Sequence, residues 1–191
     1  MTNSLNEQLV QLIRNKAYIR SDIPFKLASG KLSHDYIDMR FGLSSGDDLR
    51  LACLTLIDKV KELKMSFDRS ENKIDAIGGM TMGADPISHG VSLLASTNWY
   101  SVRKQTKDHG TQNSIEGYKV GQADNVIVVD DTVTSGSSLI KAVQAVLETG
   151  ATIKLAASIL DRGDRATEAF KELNIAYLSL VTYKDLGIEP V

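Results

Sequence analysis

From residue 74 onward, short apolar segments of strand length alternate with amphipathic segments of helical length. The predicted strands are 74–80, 98–103, 126–131, 152–161 and 176–183, and the predicted helices are 85–96, 138–147 and 165–174. This alternation favours βαβ units, in which consecutive parallel strands are joined by a helix that packs on the sheet. The sequence therefore predicts an α/β fold with a five-stranded, mostly parallel sheet and flanking helices on both faces.

The first part of the chain does not follow this alternation. Ser4, with a glutamate three residues later, has the spacing of a capping box at the start of one amphipathic helix. A second such helix follows over 49–63, with Ser45 or a nearby aspartate as its cap. Between them, residues 23–42 mix β-prone residues with Ser-Gly turn signals, which predicts short strands or a hairpin. We therefore predict N-terminal helices and a small hood over 1–70, and an α/β core over 71–191.

The composition is ordinary for a globular protein. The 191 residues carry a formal net charge of −2, so no basic excess indicates nucleic acid or an anionic membrane as a partner. The N-terminus lacks the apolar stretch of a signal peptide, and no apolar run approaches the roughly 20 residues that span a bilayer. The single Cys53 excludes an intrachain disulfide and fits a reducing compartment. We expect a cytoplasmic protein that binds neither nucleic acid nor membranes.

Residues 126–138, VIVVDDTVTSGSS, lead a buried strand through two aspartates and a hydroxyl-rich turn into a helix. In a parallel sheet, ligands bind beyond the carboxyl ends of the strands, which is where this segment falls. Hydroxyl groups and backbone N–H groups at a helix N-terminus suit a phosphate monoester, because the donors and the helix dipole both favour the anion. Gly136 permits the close backbone approach that a phosphate cradle needs.

Asp130 and Asp131 cannot serve the same phosphate, because like charges repel. Carboxylates suit the hydroxyl groups of a sugar, or a hard cation such as Mg²⁺ that is held through water. The segment therefore predicts a site for a phosphorylated sugar, and the alternative is an aspartate pair that only caps a helix beside a Ser/Thr turn. Neither a Walker A sequence nor a G-x-G-x-x-G sequence after a strand is present, so the phosphate site is of another kind.

This segment resembles the signature of the type I phosphoribosyltransferases, which bind 5-phosphoribosyl 1-diphosphate (PRPP). The resemblance implies that Asp130 and Asp131 hold the ribose hydroxyls of PRPP. It also implies that the following residues cradle the 5-phosphate: Thr132, Val133, Thr134, Ser135, Gly136, Ser137 and Ser138.

Residues 104–125 carry three glycines and almost no apolar periodicity. A loop of this length inside a compact domain is typically a lid, a binding loop or a disordered insertion. The segment VRKQTKDHGT (102–111), which spans the start of this loop, is rich in basic residues, a property that solubility alone would also explain. The residues concerned are Arg103, Lys104, Lys107 and His109.

This basic segment is similar to the R-K-x-x-K-x-H-G catalytic loop of the orotate phosphoribosyltransferases. Three further stretches fit the same family in the same order, namely FKLASGKLSHDYIDMR (25–40), IGGMTMGADP (77–86) and ILDR (159–162). The resemblance implies the reaction of that family, a Mg²⁺-dependent transfer of phosphoribosyl from PRPP to orotate. The products are orotidine 5′-monophosphate and diphosphate, in the pathway that makes UMP.

The resemblance also implies roles for individual residues. Residues 104–117 would form a flexible catalytic loop. The diphosphate would be bound by Arg103, which precedes the loop, and by Lys104, Lys107 and His109. Arg162 would pair with the carboxylate of orotate, Thr134 would contact orotate, and Tyr36 would pack on the pyrimidine. Mg²⁺ would be held mainly by substrate and water, with no direct protein ligand. The loop would reach the neighbouring subunit's site, which implies a homodimer with shared active sites.

Two positions depart from the family pattern, since Ala28 and Met82 stand where some members carry lysine. Transfer to a base other than orotate is therefore one alternative. A second is a non-catalytic regulator that senses PRPP, although the chain has no concentrated basic recognition helix in its first 70 residues. A third is a receiver-like doubly wound domain whose aspartates bind Mg²⁺ for phosphotransfer, which leaves the hydroxyl-rich turn and the basic loop unexplained.

Overall fold

The computed structural model of the protein describes residues 4–27, 30–68, 71–104 and 114–191. Within these ranges the strands are β1 (Tyr18–Lys26), β2 (Leu32–Ile37), β3 (Ala76–Met80), β4 (Asn98–Val102), β5 (Ile115–Gly117), β6 (Asn125–Val133), β7 (Thr152–Asp161) and β8 (Tyr177–Thr182). The helices are α1 (Leu5–Leu12), α2 (Met39–Gly42), α3 (Gly46–Glu62), α4 (Asp85–Ala95), α5 (Ser137–Leu147), α6 (Arg165–Glu172) and α7 (Tyr183–Leu186). A π-helical turn, Ile13–Ala17, continues α1.

The central sheet has the strand order β5-β4-β3-β6-β7-β8. Five of these strands run parallel, and β5 pairs antiparallel with β4 at one edge. The predicted α/β class is confirmed, but the predicted count of five strands was wrong. The sixth strand, β5, has three residues, which is too short to show a period of two in the sequence. It forms because the chain folds back on β4, where the Arg103 amide donates to the Ser114 carbonyl at 2.8 Å.

The alternation of side chains along β6 builds two hydrophobic cores. Ile127 and Val129 point to the face that is covered by α1, α3 and α4, whereas Val126 and Val128 point to the face that is covered by α5 and α6. All four side chains are fully buried. This is the pattern expected for a central parallel strand, which is apolar on both faces.

The N-terminal helices begin where their caps predict. Ser4 and Glu7 form a complete capping box at α1, and the Ser45 side chain accepts from the Asp48 amide at the start of α3. Both helices pack on the sheet, since Leu9 and Leu56 belong to the same core cluster as Ile127. Residues on both sides of position 70 therefore contribute to one hydrophobic core.

The hairpin β1–β2 forms a separate two-stranded antiparallel sheet. From β3 the chain crosses through α4 to β4 on one side, and from β6 it crosses through α5 to β7 on the other side. The connections thus diverge between β3 and β6, and such a switch point opens a crevice at the carboxyl ends of the two strands. Over the described ranges, no helix is long and apolar enough to cross a lipid bilayer.

Candidate active site

Two adjoining cavities open at the carboxyl ends of β3 and β6. The first has a volume of about 320 Å³ and the second about 330 Å³. Five residues line both cavities: Tyr36, Ile37, Asp130, Thr132 and Ser138. The site is therefore a single crevice with two lobes. The first lobe lies against the β6–α5 turn, and the second lies against the β3–α4 turn.

The two aspartates lie within β6, which continues to Val133, two residues beyond the predicted end at residue 131. The longer pairing with β7, which reaches Asp161, holds this extension. Asp130 is only 6 % exposed, and its Oδ1 accepts from the Asp131 amide at 3.0 Å. Burial, and then the neighbouring Asp131 carboxylate, raise the pKa of Asp130 to about 8, while the Lys104 ammonium acts in the opposite direction.

The β3–α4 turn approaches the aspartates closely. A Cβ atom on Gly83 would lie 2.6 Å from Asp131 Oδ1 and 2.9 Å from Asp130 Oδ1, so any larger side chain would displace a carboxylate. This turn forms one wall of the second lobe, which Thr81 and Met82 also line. The glycine thus allows the backbone to face whatever ligand the two carboxylates hold.

The β6–α5 turn has the features of an anion site. Gly136 adopts a left-handed conformation, with φ at +79°, and no side chain in the described part of the chain caps the start of α5. The Ser135 hydroxyl bonds to the Ser137 hydroxyl at 3.2 Å, so both lie at the same end of the helix. The first-turn amides of α5 and these hydroxyls face the first lobe, where the helix dipole favours a negative charge.

One further hydroxyl at this end of β6 lacks a partner. Thr132 Oγ1 is buried and forms no hydrogen bond within the described part of the chain. Because a buried hydroxyl without a partner costs free energy, this group is available for a ligand. Val133 lines the first lobe but turns its side chain into the core, so it offers the ligand its backbone only.

Arg162 closes the far end of the first lobe, directly after β7. It is 3 % exposed, and its amide donates to the Val133 carbonyl at 2.8 Å, which fixes its backbone against β6. The guanidinium donates through one terminal nitrogen to the Asp35 carbonyl at 3.3 Å, and Nε has no partner among the described residues. Burial lowers the pKa of Arg162, because the charged form is desolvated. A buried guanidinium with a free donor is suited to a carboxylate.

The hairpin covers the crevice from above. Tyr36 on β2 lines both lobes and packs against Phe25 with the ring centroids 5.2 Å apart. Asp35, which precedes it, is held by the Tyr18 hydroxyl at 2.7 Å. An aromatic ring thus lies in the same lobe as the Arg162 guanidinium, so this lobe can take a planar ring that bears an acidic group.

Some of the predicted basic residues line the crevice, and others do not. Lys104 lines the second lobe, but Arg103 lines neither lobe, and its Nε pairs with Glu116 Oε1 at 2.8 Å. Lys107 and His109 lie outside the described residues. The second lobe also has a cation that the sequence did not indicate, since Arg40 lines it beside Lys104.

The site residues that the sequence did not indicate come from three distant segments of the chain. Asp38 and Arg40 follow the hairpin, and Thr81 and Gly83 follow β3. Val191 reaches the first lobe, where its amide donates to the Arg162 carbonyl at 2.9 Å. No hydrophobic periodicity in the sequence marks these residues. They come together only when the folded chain forms the crevice.

The donor set of the second lobe sets limits on a metal. No group of three or more histidine, cysteine, aspartate or glutamate side chains within the described ranges could hold a metal ion. Asp130 and Asp131 supply carboxylates at one point, which fits Mg²⁺ because that ion keeps several waters and takes one or two carboxylates together with substrate phosphates. The residues present thus fit a magnesium ion held mainly by ligand and water.

A sheet with this strand order, whose central strand passes through an acidic pair into an uncapped, hydroxyl-rich turn, defines one class of protein. That class is the type I phosphoribosyltransferases. The recognised sequence signature and the observed crevice point to the same class, although they rest on different observations.

Comparisons with known proteins identify the family within this class. No family model matches the chain. The orotate phosphoribosyltransferase of Methanocaldococcus jannaschii is 32% identical over 179 residues, which cover 94% of this chain and 95% of that protein. The crystal structure of Mycobacterium tuberculosis orotate phosphoribosyltransferase in complex with Fe(III) dicitrate matches with a TM-score of 0.80 at 28% identity, covering 97% of this chain and 100% of that chain. The same enzyme in complex with PRPP matches with a TM-score of 0.76 at 26% identity and the same coverage. The chain belongs to the orotate phosphoribosyltransferase family.

Proposed function

We propose that this protein transfers the phosphoribosyl group from PRPP to orotate and releases orotidine 5′-monophosphate and diphosphate, a step in the biosynthesis of UMP. One observation carries the proposal. The crevice places the buried guanidinium of Arg162, whose Nε has no partner among the described residues, in the same lobe as the N-terminus of α5. Asp130 lines both lobes, and Asp131 lines the second lobe. The guanidinium suits an acidic base, the helix N-terminus suits a phosphate, and the carboxylates suit the diol of a ribose.

The first lobe accounts for the phosphate end of PRPP. The hydroxyls of Thr134, Ser135, Ser137 and Ser138 and the first amides of α5 supply donors, and Gly136 keeps the approach open. The carboxylates of Asp130 and Asp131 accept hydrogen bonds from the ribose hydroxyls. Binding of a diol beside a cation also offsets the cost of burying the Asp130 charge.

The same lobe accounts for orotate. The carboxylate of orotate pairs with Arg162, whose buried Nε is a charged donor with no partner among the described residues. Tyr36 packs on the pyrimidine ring, and Thr134 lies at the edge of the turn that faces the ring. A neutral base would leave the buried Nε of Arg162 without an acceptor, which is costly.

The second lobe accounts for the leaving group. The bond from C1 of the ribose to the diphosphate oxygen breaks as N1 of orotate bonds to C1, and the electron pair leaves with diphosphate. Lys104 and Arg40 stand where this charge develops and can stabilise it electrostatically. Lys107 and His109 are proposed to join them from the loop, and Arg103 can join only after its ion pair with Glu116 opens.

Magnesium is proposed as the cofactor, and when bound it would supply positive charge to the diphosphate as that group departs. The residues that would face it are Asp130 and Asp131 through water. We also propose a homodimer in which the basic loop of one subunit completes the site of its partner. Cytoplasmic location and the absence of nucleic-acid and membrane partners stay predictions.

The test is a spectrophotometric assay of orotate consumption on mixing the protein with PRPP and Mg²⁺. We expect orotate to be consumed only when all three are present, and adenine, hypoxanthine and uracil to be poor acceptors. Turnover of one of those bases in preference to orotate would show a phosphoribosyltransferase of other specificity. Binding of PRPP and orotate without any turnover would overturn the enzymatic proposal and favour a PRPP-sensing regulator.

A further inference from the structure

A buried carboxylate belongs to the residue that precedes the arginine proposed to bind orotate. Asp161, the last residue of β7, is 2 % exposed, and it precedes Arg162 in the chain. Arg162 lines the substrate crevice, whereas Asp161 lines a separate small cavity of about 170 Å³ together with Tyr177 and Ser179. Asp161 therefore does not touch the substrate lobes.

Both oxygens of the Asp161 carboxylate are engaged. Oδ1 accepts from the Gly163 amide at 3.0 Å, and Oδ2 accepts from the Tyr177 hydroxyl at 2.9 Å. The Tyr177 hydroxyl also bonds to Ser158 Oγ at 2.8 Å, and its ring stacks on Phe170 with centroids 5.0 Å apart. The carboxylate is thus held by a residue that is itself fixed from two sides.

The hydrogen bond to Gly163 spans Arg162. Asp161 bonds to the amide two residues later, so the turn that carries Arg162 is closed by the carboxylate of the residue before it. In the described ranges Asp161 makes no ion pair with any cation, and the carboxylate that acts on the Arg162 guanidinium is that of Asp35. Asp161 therefore acts on Arg162 through the backbone of the turn, not through its charge.

We propose that Asp161 and Tyr177 are positioning residues that set the direction of the Arg162 guanidinium for the carboxylate of the acceptor base. This inference rests on the proposed function, since it takes Arg162 as the partner of orotate. Because the pair fixes the turn after β7 and not the phosphate cradle, its loss affects acceptor binding and spares PRPP binding.

Tyr177→Phe and Asp161→Asn test the proposal by steady-state kinetics in both substrates. Each variant should raise KM for orotate by a factor of about 3–10, because one hydrogen bond to the turn is lost or weakened. KM for PRPP should change less than twofold. A parallel rise in both KM values, or an unchanged KM for orotate, would overturn the proposal.

A matched control uses the neighbouring tyrosine of the same surface. The Tyr183 hydroxyl donates to Asp164 Oδ2, also at 2.9 Å, but neither residue holds the turn at Arg162. Tyr183→Phe should therefore behave as wild type in both KM values. If Tyr183→Phe raised KM for orotate as much as Tyr177→Phe does, the effect would come from a general loss of rigidity in this region. That result would overturn the proposal.

A second readout does not depend on the base. Hydrogen exchange at the Gly163 amide should be faster in Tyr177→Phe than in wild type, and unchanged in Tyr183→Phe. Unchanged exchange at Gly163 in Tyr177→Phe would overturn the proposal whichever base is used. Arg162→Ala tests the proposed function separately. An unchanged KM for orotate in that variant would show that Arg162 does not bind orotate, whatever hydrogen exchange at the Gly163 amide shows.

Discussion

Asp130 is buried where its charge is costly for the folded chain. Its pKa is raised to about 8 by burial and by the Asp131 carboxylate, whereas an unfolded chain has a carboxyl pKa near 4. The folded state therefore binds this proton more tightly than the unfolded state does. The associated stability is fully present below about pH 4 and is lost as the pH rises towards about 8.

Asp130→Asn should abolish the loss of folding stability between about pH 4 and pH 8, because the asparagine amide stays neutral. We expect the substrate-free variant to melt at least about 3 °C above wild type at pH 8, since roughly 1 kcal/mol shifts the Tm of a chain this size by about 2–4 °C. The difference in Tm between the variant and wild type should become smaller as the pH falls towards 4. The measurement is Tm against pH by differential scanning calorimetry, and parallel profiles for the two proteins would show that Asp130 is not the group responsible.

Lys107 carries a prediction that comes from the sequence alone, since it lies outside the described residues. Lys107→Ala should lower kcat by a factor of about ten or more and leave Tm unchanged, because it removes stabilisation of the departing diphosphate. Lys119, an exposed lysine beyond the basic segment, supplies the control, and Lys119→Ala should retain the wild-type kcat. A wild-type kcat in Lys107→Ala would mean that this residue does not act in the reaction.

At the scale of elements, the site depends on how closely the β3–α4 turn approaches β6. Gly83 has no room for a Cβ atom, because both aspartate carboxylates lie within 3 Å of its position. Gly46 at the start of α3 has open space around it and serves as a matched position.

Gly83→Ala should raise KM for PRPP by about tenfold or more, since a displaced carboxylate no longer meets the ribose diol. Gly46→Ala should leave KM for PRPP unchanged. Steady-state kinetics at saturating orotate checks both. An unaltered KM for PRPP in Gly83→Ala would show that the aspartates do not bind the donor in the observed arrangement.

At the scale of the whole molecule, the proposed dimer has a definite consequence. Lys107→Ala and Asp131→Asn should each be nearly inactive alone, because one lacks the loop lysine and the other lacks a carboxylate of the cradle. If the loop acts on the partner's site, a hybrid dimer contains one site with both residues intact.

Mixing the two variants, with dissociation and reassociation of subunits, should therefore restore about a quarter of the wild-type activity, since half of the dimers are hybrids with one good site. Activity is measured before and after subunit exchange. A mixture that stays as inactive as its parents would show that each loop acts on its own subunit.

The parts of the fold that were predictable from sequence are those encoded in contiguous segments. VIVVDDTVTSGSS contains strand, acidic pair and cradle within 13 residues, and Ser4 and Ser45 mark helix starts through local capping. β5 was missed because three residues carry too little periodicity, and its pairing depends on β4.

The parts of the site that were not predictable require the fold to bring distant segments together. Arg40 and Gly83 are about forty residues apart in the chain, and the family resemblance of their stretches gave neither residue a role, yet both line the second lobe. Arg103, which the loop pattern grouped with Lys104, instead pairs with Glu116, because the return of the chain through β5 places that carboxylate beside it.

The central claim is that the turn between β6 and α5 holds the sugar donor, with Asp130 and Asp131 on its ribose. A crystal structure of the protein with PRPP and Mg²⁺ tests this directly. We predict the 5-phosphate within hydrogen-bonding distance of the amides of residues 134–138 and the ribose hydroxyls on the two carboxylates. PRPP bound with its phosphate away from this turn would contradict the account.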